Sequence, residues 1–99
     1  MAQTKYTTSH AVVEEWTRIS LASTGKPNEV RARDGTHYAW ELNTSSQDDV
    51  LRGTVWFVMV FDEGTAQEQR ARSNPRSFEI AADGSISGFV PMALTARMR

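Results

Sequence analysis

The stretch TVWFVMVF, residues 54–61, decides the fold. Its aromatic and β-branched residues favour a strand, and Gly53 and the Asp62-Glu63-Gly64 turn bound it. Side chains alternate across a strand, so Thr54, Trp56, Val58 and Val60 point one way. Val55, Phe57, Met59 and Phe61 point the other way. Both sets are apolar, which predicts a strand covered on both faces. No apolar run reaches membrane length; the longest, Val55 to Phe61, is seven residues.

A hairpin is predicted on each side of this strand. In EVRARDGTHYAWEL, residues 29–42, a two-residue Asp34-Gly35 turn would place Arg31 opposite Tyr38. A three-residue loop, Arg33-Asp34-Gly35, instead pairs Ala32 with Thr36 and Val30 with Tyr38. Only this second register puts Val30 and Ala32 on one face with Tyr38, Trp40 and Leu42. A slip of one residue reverses every side chain, so the apolar pattern selects the bulged loop. In SFEIAADGSISGFV, residues 77–90, the loop Ala82-Asp83-Gly84 similarly pairs Ile80 with Ile86 and Phe78 with Gly88.

Upstream, residues 10–23 place Val12, Val13, Trp16 and Ile19 on one helical stripe. Ser9 is the expected N-cap, and Gly25 followed by Pro27 the expected stop. A strand over Trp16–Ala22 is the rival reading, since Thr17, Ile19 and Leu21 alternate with other residues. Residues 44–49 resemble a capped turn, with Ser46 and Asp49 at capping-box spacing. Residues 64–76, GTAQEQRARSNPR, have no apolar face and predict a solvated helical turn or loop. On that reading, replacing Arg70, Arg72 and Arg76 with Ala shifts stability by less than about 0.5 kcal/mol. Over 86–98, Val90, Met92, Leu94, Ala96 and Met98 share one face of a final strand, which Pro91 makes an edge, bulged or broken. The sum is a single domain of α+β class, with one N-terminal helix packed on a curved antiparallel sheet of about five strands.

Composition narrows the function. The net charge is −1 over 99 residues, and no cysteine is present for disulfide or thiolate chemistry. The polar start after Met1 predicts no secretory leader, and the expected setting is cytoplasmic or intraviral. Gly84-Ser85-Ile86-Ser87-Gly88 has Ile where a nucleophile elbow needs Ser. His10 and His37 are too far apart for a local metal motif. Adjacent carboxylates at Glu14-Glu15, Asp48-Asp49 and Asp62-Glu63 diverge on a helix or strand, which disfavours paired acid–base work. No catalytic residue, metal or cofactor is expected.

Three surfaces remain. Val55, Phe57, Met59 and Phe61 carry apolar area that one helix cannot cover together with the opposite face, which predicts an oligomer interface. The preferred function is therefore a non-catalytic interaction or structural protein acting as a homo-oligomer, or meeting a protein partner. Trp16, Tyr38 and Trp40 are the candidate lining of a small-ligand or enzymatic pocket between helix and sheet. Arg70, Arg72 and Arg76 are candidate phosphate or nucleic-acid contacts. The lack of an aromatic beside them for base stacking makes nucleic acid the least favoured partner.

Overall fold

The computed structural model describes residues 8–43 and 48–95. Helix α1 (Ser9–Thr24) precedes strands β1 (Glu29–Arg31), β2 (His37–Leu42), β3 (Leu51–Phe61), β4 (Gln69–Arg72), β5 (Arg76–Ile80) and β6 (Ile86–Gly88). One helical turn, α2 (Met92–Thr95), follows. The strands form one antiparallel sheet in the order β1-β2-β3-β5-β6. β4 continues the line of β5 along the same side of β3: Leu51–Val55 pair with β5, and Val58–Phe61 pair with β4. The fold is α+β, as the sequence predicts, with six strands where about five were expected.

Both hairpins take the bulged register. Val30 pairs with Tyr38, and Ala32 donates to the Thr36 carbonyl at 2.8 Å. Ile80 pairs with Ile86, and Phe78 with Gly88. Gly35 and Gly84 each have φ of 90°, the left-handed region that glycine enters without a Cβ penalty. Asp34 and Asp83 tighten these loops by accepting from the backbone N–H of Thr36 and Ser85, each at 2.9 Å.

α1 forms where the apolar stripe predicts it, and not as the rival strand. Its cap is Thr8, not Ser9: the Thr8 hydroxyl accepts from the Ala11 N–H at 3.0 Å. Ser9 is fully buried and its hydroxyl donates to the Asp49 carbonyl, tying the helix start to the chain entering β3. The helix ends at Gly25, whose N–H bonds the Leu21 carbonyl at 2.9 Å.

The core lies between α1 and one end of the sheet. Val12, Trp16 and Ile19 of the helix meet Val30, Trp40, Leu51, Val55, Phe78 and Ile80, with Leu94 closing one side. Trp16 is fully buried and packs edge-on to Trp40 at 5.6 Å and to Phe78 at 5.1 Å between ring centroids. Removing a ring of this size from water contributes about 5 kcal/mol of transfer free energy. The Trp40 indole N–H donates to Ser20 at 3.2 Å, so one polar edge of the cluster is satisfied internally.

Two segments differ from the sequence reading. Residues 69–72 are strand β4, although nothing apolar predicts it; β3 supplies the ladder and the segment follows its partner. Before it, Gly64 N–H bonds the Glu68 carboxylate at 3.0 Å and Gln67 N–H bonds the Thr65 hydroxyl at 3.2 Å; these contacts close a turn, and no helix follows. The strand expected from residue 86 onward ends at Gly88, which has φ of 88°, and Ala96 and Met98 of that expectation lie outside the described residues. Beyond it α2 buries Leu94 and leaves Met92 exposed, so these two do not share a face. Residues 44–47 of the expected capped turn lie outside the described residues.

Candidate interaction surface

β3 is longer than its cover. Leu51 and Val55 on the α1 side are buried in the core, and Gly53 between them is closed over by Phe78. The same row then runs on past the helix as Phe57, Met59 and Phe61, which are 43%, 46% and 52% exposed. Val55, expected at an interface, is 1% exposed and belongs to the core of its own chain. The open part of that face begins at Phe57. Tyr38 flanks it, with ring centroids 5.0 Å apart. On β4, Ala71 pairs with Met59 and Gln69 with Phe61, so both share this face. None of these strand residues is charged, and Arg31 and Glu63 border the patch, lining a hollow beside Phe57 and Met59.

The opposite face of the same ribbon is charged and internally matched. Arg72 pairs with Val58 and lays its guanidinium over the Trp56 ring, 4.5 Å from the centroid. Arg70 Nη1 donates to Glu29 Oε2 at 2.5 Å and Arg70 Nε donates to Glu68 at 3.4 Å. Glu29 is a buried carboxylate on β1, with Lys26 a further 3.8 Å neighbour. In a flat sheet, Glu29 and Arg70 would stand roughly 20 Å apart, three strand spacings across and four residues along. Their contact therefore requires the sheet to coil away from α1, and this coil turns Phe57, Met59 and Phe61 outward.

A second polar group braces the ribbon tip. Arg31 donates from Nε to His37 Nε2 at 3.1 Å and from Nη2 to Glu63 at 3.0 Å. His37 Nε2 is thus an acceptor, and its Nδ1 is buried without a partner. Glu68 accepts from Gly64 N–H, which, with Arg70 beside it, holds its carboxyl below the usual range. The turn after β3 is pinned to β1 by ion pairs from both Arg31 and Arg70.

The other sequence candidates separate. Trp16 and Trp40 are buried in the core and Tyr38 is half-buried beside Phe57, and none of the three lines either hollow described below. Hollows lie elsewhere. A groove of about 710 Å³ runs between α1, β1 and α2 over Ile19, Val30 and Ala93, with Arg31 and Arg33 at its rim. A smaller one of about 470 Å³ lies beside His37, Phe57, Met59 and Glu63. Arg76 sits over the Phe89 ring at 5.3 Å, apart from Arg70 and Arg72. All three arginines are thus engaged within the chain; Arg70 and Arg72 stand on a strand whose residues are all exposed, not on the helical turn or loop that the sequence suggested. No group of three or more His, Cys, Asp or Glu side chains converges as a metal site among the described residues, and none of their helices is long and apolar enough to cross a membrane. The chain matches no known family model, no curated protein and no solved structure.

Sequence reasoning found the apolar row but missed the Glu29–Arg70 pair. Glu29 precedes Val30, so their side chains face opposite ways, and a carboxylate on the non-helix face of a first strand was the available signal.

Proposed function

We propose that this chain is a small non-catalytic interaction protein that self-associates through the uncovered end of β3. The observation that carries the reading is the row Phe57, Met59 and Phe61, exposed side by side on a face whose strand residues are uncharged. Among the described residues, the only other large apolar side chains left exposed are Leu21 and Met92. The largest contiguous apolar patch of a soluble domain often serves interaction.

Sedimentation or light scattering from about 10 μM to about 1 mM tests it, a range that captures even weak association. The parent should gain mass with concentration, and Met59→Asp should remain a monomer with an unchanged circular dichroism spectrum. A parent that stays monomeric at the highest concentration overturns the reading.

A further inference from the structure

The two faces of the β3–β4 ribbon differ so sharply that they restrict how a second copy can sit. Resting on the self-association proposed above, we infer that two copies meet ribbon on ribbon, face to face, across a two-fold axis beside Met59, with the free edge of β4 left outside the contact. A two-fold interface presents the same patch on both sides. A patch whose strand residues are uncharged is therefore matched by itself, and the Arg31–Glu63 pair at its border leaves no ion unpaired. Met59 is the middle residue of the exposed row, so the axis beside it brings Phe57 of one copy towards Phe61 of the other.

The rival arrangement is edge pairing, β4 against β4 of the second copy. Ser73 N–H bonds the Phe57 carbonyl at 3.2 Å, so by strand alternation the backbone groups of Arg70 and Arg72 point to the open edge. Centring that pairing on Ala71 would set Arg70 opposite Arg72 of the partner, like charge on like charge. Arginines on a short edge strand are a device against such pairing. The apolar faces would then also remain in water.

Area sets the expected strength. Three half-exposed large side chains offer about 300 Å² per copy, against about 800 Å² per partner for a standard interface. The contact should be reversible and concentration-dependent, and truncating its centre should weaken it at least about tenfold.

The test is an isotope-filtered NOE experiment on a sample in which half the chains carry ¹³C-methyl Met and Ala and half are unlabelled. Met59→Leu identifies the Met59 signal. Cross-peaks from the Met59 methyl to aromatic protons of the unlabelled copy are the expected result. A dimer showing intermolecular cross-peaks from Ala71 to Ala71 of the partner, and none from Met59, overturns the face-to-face arrangement and leaves self-association standing. A dimer whose intermolecular cross-peaks come from Met92 overturns the arrangement and this choice of surface. A monomer by light scattering under the same conditions overturns both the arrangement and the reading it rests on.

Discussion

Arg70 reverses the sequence expectation most completely. Read in the segment GTAQEQRARSNPR it is one of three solvated cations; in the fold it is the main partner of a buried carboxylate. Removing one member of such a pair leaves the other desolvated, which costs more than the pair itself contributes. Arg70 is a third exposed, which moderates the effect. Arg70→Ala should lower stability by about 1–2 kcal/mol, and adding Glu29→Gln should recover part of that loss. Chemical denaturation of the single and double variants measures this; equal stability of Arg70→Ala and the parent would show the pair to be idle. The loop aspartates give a second residue-scale expectation. Hydrogen bonds from Thr36 and Ser85 hold the Asp34 and Asp83 carboxyls below the ordinary value of 3.8. A depressed folded pKa contributes stability that is complete above the unfolded value and is lost as pH falls through the folded one. Stability should therefore fall with acid below pH 3.8 less steeply in an Asp34→Ala, Asp83→Ala variant than in the parent, as acid titration by circular dichroism would record.

At the scale of elements, what could be read from the sequence is what the chain specifies locally. The alternation of residues 54–61, the helical stripe from Val12 to Ile19 and the two Asp-Gly loops each carry their own pattern, and each forms as expected. The hairpin registers were legible because loop chemistry and the apolar face agree at Val30–Tyr38 and at Ile80–Ile86. β4 was illegible because Gln69-Arg70-Ala71-Arg72 has no pattern of its own; β3 imposes extension on it and Trp56 receives Arg72. The end of β6 at Gly88 was equally hidden, since only burial of Leu94 against the core rewards the turn of α2. For the interaction surface, the apolar row was visible in the sequence, but where cover ends was not, because that depends on how far α1 reaches along β3. Gly53 marks the covered half. A Cβ there would stand 2.3 Å from the Glu41 carbonyl oxygen and 2.5 Å from the Phe78 ring. Gly53→Ala must separate β2 from β3 or displace Phe78, and should cost about 3 kcal/mol. A midpoint in urea unchanged from the parent would show that the strands yield freely there.

Over the whole molecule, the extents are 49 × 29 × 18 Å and the radius of gyration is 14.3 Å. A compact chain of this length would have a radius of about 13 Å. The excess fits a core at one end and a ribbon at the other, where burial is slight and an added subunit brings the most new contact. Association that favours the folded state makes thermal stability depend on concentration. The melting temperature of the parent should rise with protein concentration, while that of Met59→Asp should stay flat; differential scanning calorimetry at several concentrations distinguishes them.

The guanidinium of Arg72 above Trp56 has an optical consequence. The chain has three tryptophans, and Trp16 and Trp40 are sealed in the core while Trp56 lies under a cation at the surface. Their emission should differ in colour: two indoles report the dry interior, and the third reports whether β4 is seated. Followed at the red edge of the emission, where the two core indoles contribute least, the fluorescence becomes a gauge of the ribbon, able to register its fraying while the helix and its core stay intact.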